Sequence, residues 1–399
     1  MTTIVDILRD IFRGYEQESI FLVGGSVRDM FLGRQGDDID LAAALPPDVA
    51  KSHGFHEVIG KSSVPIWFRH IKGIGKIEMV LLTDRSKIAN ELARRDLTIN
   101  AMAMNLSGTV IDPLNGRQDL EQGLLRACST SAFLDDPLRI FRTFRFEADG
   151  WRMAAGTEAL IRGQSWLRLL DTIPVERFTR EMIKALGTSE PARYFQRMLE
   201  FNVGDNYLPE IFRMPFIPAG PPEHHPEGDL FTHSTQVLER VKQQKPLPLL
   251  RFCAMFHDIG KLATNPDDYP RHHGHDETGF VLARTFCTRL RLPAAYRTAL
   301  AWVSRLHGKT NRWHELRDST KLKIAEQAIK AGIAEILPLV SMADKAGGVD
   351  LSSWASVVRI ASLTTSELGI DPLQLENMSP ITRSGYIQQK RVEKLRDHH

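Results

Sequence analysis

Residues 22–43 read LVGGSVRDMFLGRQGDDIDLAA, a glycine pair after an apolar strand and then two acids on what the pattern predicts to be another strand. Gly24 and Gly25 let backbone N–H groups approach an anion, and the helix predicted to follow them points its positive end at the same place. Side chains two apart on a strand share one side, so Asp38 and Asp40 are expected to converge. A divalent cation such as Mg2+ relieves their repulsion because it prefers carboxylate oxygens. An exposed turn would also explain the acids alone, but the adjacent glycine turn favours metal-assisted phosphoryl or nucleotidyl transfer.

The composition of the 399-residue chain narrows the class of protein. This length predicts about two to four domains or subdomains. The widely spaced Cys128, Cys253 and Cys287 predict reduced thiols and not a disulfide framework. The N-terminus lacks the apolar core of a secretion signal, and no apolar run approaches the roughly 18 residues of a membrane span. We therefore expect a soluble, cytoplasmic protein with no membrane partner, whose net charge of +2 confines nucleic-acid binding to local basic patches.

The hydrophobic periodicity predicts an α+β protein. Up to about residue 126, short apolar strands alternate with helical stretches, which predicts a small mixed sheet with helices. The strand candidates are SIFLVGG, IDLAAA, HEVIG, VPIWFRHI and KIEMVLL. From about residue 134 the periodicity is helical. A Pro- and Gly-rich stretch at 214–228 opens a histidine-rich helical region that ends near residue 345.

Three further stretches accompany the first one: RRDLTINA at 94–101, IDPLNGRQDLEQGLLR at 111–126 and DDPLRIFRTFRF at 135–146. Together these stretches resemble the family of tRNA CCA-adding enzymes and bacterial poly(A) polymerases, within the polymerase-beta-like superfamily. The resemblance implies a nucleotidyltransferase head in which Asp38 and Asp40 hold two Mg2+ ions. It also implies that Glu78, in KIEMVLL, helps to activate an attacking 3′-hydroxyl, with Asp84 as the alternative if the strand register differs.

The same resemblance implies a set of nucleotide-binding residues. Arg95 contacts the triphosphate, and Asp96 with Asn100 contacts the sugar or fixes the loop. Asp136 and Arg139, three apart and expected on one helix face, act as an amino-acid template that accepts cytosine and adenine and rejects uracil and guanine. The remaining members form the glycine turn or hold phosphates: Gly24, Gly25, Arg28, Arg142 and Arg145.

One departure from the family pattern leaves the product open. The family carries a mobile loop between the third-carboxylate strand and the RRD motif, and that loop is needed when the pocket changes from C to A addition. Here only LLTDRSKIANELA separates Val80 from Arg94. Because a shortened loop marks members that add only the two cytidines, CC-only addition is an alternative to full CCA addition. Poly(A) synthesis is a further alternative.

A second group of motifs is rich in histidine, with seven of the fourteen histidines between residues 224 and 275. His257 and Asp258 lie in the apolar stretch LLRFCAMFHDIGK, where a buried His-Asp pair needs a partner such as a metal ion. With His233 and Asp344 this pair resembles the HD phosphohydrolase family. The resemblance implies that these four residues hold a transition metal such as Ni2+, Mn2+ or Co2+.

Neighbouring cationic and histidine side chains are expected to extend this site. His273, His275 and His307 would contact a substrate phosphate or a second metal, and Lys261 is a further candidate for a phosphate contact. The implied activities are those of a phosphatase, a 2′,3′-cyclic phosphodiesterase and a 2′-nucleotidase.

The order of the motifs predicts four domains: a nucleotidyltransferase head at 1–130, a helical RNA-binding neck at 131–213, an HD domain at 214–345 and a helical tail at 346–399. This order resembles the proteobacterial CCA-adding enzymes that carry an HD domain. It implies tRNA, CTP and ATP as partners, and a monomer or a homodimer. A rival hypothesis of another class is a metal phosphohydrolase whose head only binds RNA.

Overall fold

The chain divides into two units, Met1–Leu169 and Leu170–His399. The computed structural model describes residues 4–15, 17–34, 38–58, 65–72, 75–242, 244, 248–376 and 378–397. The first unit holds a mixed sheet with helices and the second is helical, so the predicted α+β class is confirmed. The division into four domains stays a prediction. Among the described residues, no helix is long and apolar enough to cross a membrane.

Within the described residues, the sheet of the first unit has seven strands in the order β3-β4-β5-β2-β1-β6-β7. The strands are β1 Ile20–Val23, β2 Asp38–Ala43, β3 His56–Val58, β4 Ile66–Ile71, β5 Gly75–Leu81, β6 Ala103–Asn105 and β7 Val110–Ile111. Strands β2 and β5 pair in parallel and the other neighbours are antiparallel. The first five coincide with the apolar runs read from the sequence. The last two are too short to show an alternating pattern. A separate pair, β8 Leu124–Leu125 and β9 Arg152–Met153, forms a two-stranded sheet.

The helices of the first unit are short. They are α1 Ile4–Ile11, α2 Gly25–Phe31, α3 Pro47–Ser52, α4 Ile88–Ala93, α5 Gly116–Gln122, α6 Ala132–Asp135, α7 Leu138–Ala148, α8 Ala155–Arg162 and α9 Leu167–Leu170, the last of which ends in the second unit. The two faces of the sheet differ because side chains alternate along each strand. Ile39 and Ile77 pack into the main core, whereas Asp40 and Glu78 occupy alternate positions of the same strands and are only part-buried.

The prediction that Asp136 and Arg139 lie on one helix is wrong. Helix α6 ends at Asp135 and α7 begins at Leu138, so Asp136 lies between them in an extended conformation, with φ −151° and ψ 97°. Pro137 is the physical reason, because the ring of a proline disfavours the helical conformation in the residue before it. The Asp136 carboxylate Oδ1 accepts a hydrogen bond of 3.2 Å from the backbone N–H of Leu138, at the start of α7.

The helices of the second unit are α10 Val175–Leu186, α11 Pro191–Phe201, α12 Pro209–Arg213, α13 Leu230–Lys242, α14 Pro248–Phe256, α15 His275–Arg289, α16 Ala294–Thr310, α17 Asp318–Lys330, α18 Ile336–Asp344, α19 Trp354–Ala361, α20 Pro372–Glu376 and α21 Pro380–Arg396. Helix α14 is buried from Leu250 to Phe256 and contacts α13, α16 and α18. Its apolar sequence allows this position, since a helix that is hydrophobic on all sides is stable only when it is surrounded. The end of α14 is therefore the point where residues from three other helices can meet.

Candidate functional site

In the first unit, the turn after β1 brings Arg95 and Asp40 together. A β-carbon placed on Gly24 would lie 2.2 Å from Nη1 of Arg95 and 3.4 Å from Oδ2 of Asp40. Gly24 has φ 69° and ψ −133°, a conformation suited to glycine alone. Ser26 links the turn to β2, because its Oγ accepts a hydrogen bond of 3.1 Å from the backbone N–H of Asp40. The bare backbone of Gly24 thus separates a guanidinium group from a carboxylate.

The Arg95 side chain has capacity for a further ligand. Its Nε is buried and has no hydrogen-bond partner among the described residues. Nη2 lies 3.8 Å from the Glu91 carboxylate, a long contact for an ion pair. A buried donor without an acceptor is costly, and a phosphate oxygen is a suitable acceptor for a guanidinium group.

The two strands that carry the predicted acids are in register. Asp40 pairs with Glu78 and Asp38 pairs with Lys76 in the parallel ladder of β2 and β5. Glu78 also makes an ion pair with Lys76 on its own strand, and the side chain of Glu78 is 39% exposed. The side chain of Asp38 lies outside the part of the chain that the structure describes. Carboxylate oxygens on neighbouring strands suit a hard cation such as Mg2+.

Asp84, the alternative third acid, has a local role in the chain. Its Oδ1 accepts a hydrogen bond of 2.7 Å from the backbone N–H of Ser86 and so caps the short 3-10 helix Arg85–Lys87. This contact accounts for the acid without a role at the sheet, since aspartate is a preferred capping residue.

Four of the predicted nucleotide-binding residues form one hydrogen-bonded chain. Arg28 on α2 donates to Asn100 Oδ1 at 2.5 Å, and Asn100 Nδ2 donates to Asp96 Oδ1 at 3.0 Å. Arg142 on α7 completes the chain, since its Nε donates to Asp96 Oδ2 at 2.8 Å. Burial alone would raise the pKa of Asp96, but the charge of Arg142 and hydrogen bonds from Asn100, Arg142 and the Leu97 N–H hold that pKa well below its usual range. Asp96 is therefore charged at neutral pH and ties the RRD motif to α2 and α7.

The other arginines of α7 make different contacts. Arg139 donates to backbone carbonyls, from Nη2 to Arg94 at 2.8 Å and from Nη1 to Ala132 at 3.0 Å and Arg95 at 3.4 Å. The guanidinium carbon of Arg145 lies 4.5 Å from the ring centre of Phe146. The structure thus places Arg139 at the RRD motif, next to the arginine that borders Gly24.

In the second unit, nitrogen and oxygen atoms of four side chains converge on one small volume. The four residues are His233, His257, Asp258 and Asp344. His233 Nδ1 lies 2.7 Å from Glu227 Oε1, and His257 Nδ1 lies 2.9 Å from the carbonyl oxygen of Ala254. Both oxygens only accept, so these contacts assign the ring proton to Nδ1 in each neutral imidazole and leave a lone pair on Nε2. His233 Nε2 is 2.9 Å from Asp344 Oδ1, and His257 Nε2 is 3.3 Å from Asp258 Oδ2.

This group has the chemistry of a metal site. His233, His257, Asp258 and Asp344 are all nearly inaccessible, and their ligand atoms lie within 4.8 Å of one another. Burial alone would lower the pKa of His257, but the charge of Asp258 and contacts with Asp258 and Asp344 raise it to about 10. Four converging acceptors need positive charge, from protons or from a metal ion, and two imidazoles with two carboxylates suit a transition metal. The residues therefore fit the ion implied by the sequence.

The second oxygen of Asp258 faces two more histidines. Asp258 Oδ1 is 3.2 Å from His307 Nε2 and 3.4 Å from His275 Nε2. The Nδ1 atoms of these rings contact the backbone carbonyls of Ser304, at 2.9 Å, and His272, at 2.7 Å. Asp258 therefore lies between two groups of ligand atoms.

Of two further residues predicted at this site, Lys261 lies beside Asp258 and His273 is exposed. Lys261 Nζ lies 2.6 Å from Asp258 Oδ2 and donates to the carbonyl of Ala219. His273 is exposed, and the structure does not bring it into either group of ligand atoms among the described residues. His272 is buried instead and contacts the carbonyl of Pro218 at 2.8 Å.

Sequence reasoning missed two residues that contact the candidate metal ligands: Glu227 and Asn311. Glu227 contacts His233, and Asn311 donates from Nδ2 to Oδ2 of Asp344. Glu227 lies six residues before His233 in a Pro- and Gly-rich stretch, and Asn311 directly follows α16. Irregular segments give no periodicity from which a side-chain direction can be read, so the pattern carried no signal for either residue.

Comparison with known families divides the chain in the same order as its motifs. The family model for the poly A polymerase head domain matches residues 20–76 and 68–126. The model described as the probable RNA and SrmB-binding site of polymerase A matches residues 151–214, and the HD domain model matches residues 230–337.

Curated relatives agree with these matches. A multifunctional CCA protein of Thioalkalivibrio sulfidiphilus is 36% identical over 332 residues, which cover 77% of this chain and 78% of the relative. A multifunctional CCA protein of Nitrosococcus oceani is 32% identical over 402 residues, which cover 94% of this chain and 98% of the relative.

Two solved structures resemble the fold over most of the chain. A Bacillus stearothermophilus CCA-adding enzyme in complex with CTP has a TM-score of 0.62 at 23% identity and covers 94% of this chain and 89% of its own. A Thermotoga maritima CCA-adding enzyme complexed with tRNA has a TM-score of 0.61 at 20% identity. The match covers 94% of this chain and 87% of the Thermotoga maritima chain. At these identities the likeness shows the fold alone. On the similarity to its curated relatives, the chain belongs to the multifunctional CCA proteins, and it is a nucleotidyltransferase that matches both a poly A polymerase head domain and an HD domain.

Proposed function

We propose that the protein adds the nucleotides of the CCA sequence to the 3′ end of tRNA, from CTP and ATP and without a nucleic-acid template. The observation that carries the proposal is the meeting of Arg95 and Asp40 at the bare backbone of Gly24, with Glu78 in register on the neighbouring strand. The names of the curated relatives support the product, and solved relatives in complex with CTP, ATP and tRNA support the partners.

In this proposal each part of the site has a separate task. The Gly24 turn and Arg95 bind the triphosphate, through backbone N–H groups and through the Nε–H of Arg95, which has no acceptor among the described residues. Asp38 and Asp40 are the residues that would hold two Mg2+ ions, which stabilise the charge on the reacting phosphate when bound. Glu78 lies opposite Asp40 and takes the proton of the attacking 3′-hydroxyl. The 3′-oxygen then bonds to the α-phosphorus as pyrophosphate leaves.

The choice of base is assigned to Asp136 and Arg139. Cytosine and adenine each present an amino donor beside a ring nitrogen acceptor, so a carboxylate and a guanidinium can pair with either one. Arg139 already donates to the carbonyls of Arg94, Arg95 and Ala132. Among the described residues these hydrogen bonds use three of the five N–H donors of the guanidinium group, so Arg139 can pair with a base through the others.

Incorporation of labelled CTP and ATP tests this function. The substrates are tRNAs that lack zero, one, two or three terminal nucleotides, supplied with Mg2+. The proposal predicts that each shortened tRNA is extended to CCA and that the complete tRNA is not extended. Failure to extend any of them would refute it, and continued addition of A would point to a poly(A) polymerase instead.

CC-only addition is the second candidate, and the segment between β5 and Arg94 favours it. Asp84 caps the short helix in this segment, and Ile88 and Leu92 of α4 are buried in a core cluster. All residues of this segment are described, and they contain no long loop of the kind that the family resemblance links to A addition. A tRNA ending in CC, incubated with ATP alone, separates the candidates, since a CC-only enzyme leaves it unextended.

We further propose that the protein is also a metal-dependent phosphohydrolase, with phosphatase, 2′,3′-cyclic phosphodiesterase or 2′-nucleotidase activity. The reaction takes place at the HD site, which is formed by His233, His257, Asp258 and Asp344. Its support is the convergence of four acceptors from His233, His257, Asp258 and Asp344. A Ni2+, Mn2+ or Co2+ ion held there would polarise a phosphate ester. His275 and His307, on the other oxygen of Asp258, are positioned to hold a phosphate oxygen or a second cation.

Hydrolysis of p-nitrophenyl phosphate, 2′,3′-cyclic AMP and 2′-AMP tests the HD proposal with each of the three metals. We expect at least one ester to be hydrolysed by the wild-type protein and not by the His257→Ala variant. No hydrolysis of any ester under any of these metals would refute the proposed activity.

A further inference from the structure

The loop before α13 carries a carboxylate that two histidines share. Glu227 Oε1 lies 2.7 Å from Nδ1 of His233 and 2.9 Å from Nδ1 of His225. The Glu227 side chain is only 10% exposed. The His225 and His233 rings meet edge to face, with their centres 5.0 Å apart. His225, Glu227 and His233 thus form a compact trio in which one ring, that of His233, also faces Asp344.

The loop that presents Glu227 is fixed in place. Its two arms pair through a hydrogen bond of 2.8 Å from the Ala219 N–H to the Gly228 carbonyl and through a β-bridge between Pro218 and Asp229. The His225 ring lies directly on Gly220, where a β-carbon would come within 2.3 Å of it.

Two side chains near the candidate metal ligands form hydrogen bonds with the same loop. Lys261 donates to the carbonyl of Ala219 at 2.6 Å, and His272 contacts the carbonyl of Pro218 at 2.8 Å. The loop is therefore attached to the HD site through Lys261 and His272 as well as through Glu227.

A competing hydrogen bond gives Glu227 a specific task. A neutral imidazole carries its proton on either Nδ1 or Nε2. With the proton on Nε2, His233 would donate to Asp344 Oδ1, which lies 2.9 Å away, and each group would satisfy the other. A metal ion could then bind only after this hydrogen bond had broken and the proton had moved. A carboxylate at Nδ1 favours the other tautomer, in which Nε2 presents a lone pair.

We propose that Glu227, oriented by His225, is a positioning residue that keeps the His233 proton on Nδ1 and so leaves Nε2 available to the metal ion. The inference rests on the metal site of the proposed phosphohydrolase. Residues that orient metal ligands in this way typically change metal affinity by about 10- to 100-fold when they are replaced.

Calorimetric titration of the full-length, chelator-stripped protein with Ni2+ tests the inference. Binding that disappears in the His257→Ala variant defines the HD site. We expect Glu227→Ala to raise the dissociation constant of that site by about 10- to 100-fold. Glu227→Gln should show a smaller loss, because an amide oxygen still accepts from Nδ1 but carries no charge. Glu223→Ala removes an exposed acid from the same loop and should leave Ni2+ binding unchanged.

Thermal unfolding of the metal-free variants separates positioning from folding. A residue needed only for folding would lower the unfolding temperature and leave the Ni2+ affinity of the folded protein intact. If Glu227→Ala does not fold, Glu227→Gln decides the question, and wild-type Ni2+ affinity in a folded Glu227 variant would overturn the inference. A wild-type protein that hydrolyses no ester but shows the expected order of Ni2+ affinities would refute the phosphohydrolase and support the positioning role.

Discussion

Replacement of Gly24 by alanine should disable nucleotide addition without a direct effect on the HD site. The new β-carbon would lie 2.2 Å from Nη1 of Arg95, where an ordinary contact is at least 3.4 Å, so the guanidinium must move by about 1.2 Å. The backbone conformation of Gly24 adds strain of about 1–3 kcal/mol for a residue with a side chain. A displacement of about 1 Å in a substrate-positioning group can cost about 100-fold in rate. We therefore expect CTP incorporation to fall by about that factor.

Gly156→Ala, in helix α8 of the same unit, is the control for this substitution. A β-carbon on Gly156 has no described heavy atom within 4 Å, and the substitution lies outside the predicted nucleotide-binding residues. The assay measures the initial rate of CTP incorporation into tRNA that lacks CCA, at saturating and limiting CTP, with ester hydrolysis as the internal reference. A wild-type rate in Gly24→Ala, or an equal loss in Gly156→Ala, would refute the assignment of Arg95 and the Gly24 turn to the triphosphate.

Three further predictions concern stability and the separation of the two activities. Asp96→Asn should destabilise the first unit by about 3 kcal/mol, because an amide nitrogen would face the Arg142 donor, and an unchanged denaturant midpoint would contradict this. Since the folded-state pKa of Asp96 lies below its ordinary value of 3.8, its contribution is present above that pH and is lost as the pH falls below it. The wild type should thus lose stability more steeply than Asp96→Asn below about pH 4, and parallel curves would count against the charged pair. Asp40→Ala should abolish CTP incorporation and spare ester hydrolysis, and His257→Ala should do the reverse. A physiological activity that survives in Asp40→Ala but not in His257→Ala would favour the rival phosphohydrolase that only binds RNA.

The strands of the first unit could be predicted because each carries an apolar run that periodicity detects. Alternation along β2 and β5 also places Asp40 and Glu78 on one face once their register is known. The break at Asp136 was missed because the arginine spacing continues a helical pattern across it, and Pro137 overrides that pattern locally. Strands β6 and β7 form only because the sheet edge offers them partners, which a local pattern does not show.

The HD residues show a different limit of sequence reasoning. His257 and Asp258 could be predicted to need a partner because their helix is apolar, and the structure places His233 and Asp344 beside them. Adjacent His272 and His273 cannot be distinguished by composition. Only the fold determines that His272 is buried against Pro218 while His273 is exposed. Glu227 depends on the path of an irregular loop, for which neither helical nor strand periodicity applies.

The proposed function assigns the joining of nucleotides to the 3′ end of tRNA to the site around Gly24, Asp40 and Arg95. Its most direct test is CTP incorporation into tRNA that lacks CCA, resolved at single-nucleotide length, with the wild-type protein and Asp40→Ala side by side in Mg2+. We predict that the wild type adds two cytidines and that Asp40→Ala adds none. The assignment would be contradicted if the wild type left the tRNA unextended or if Asp40→Ala extended it at the wild-type rate.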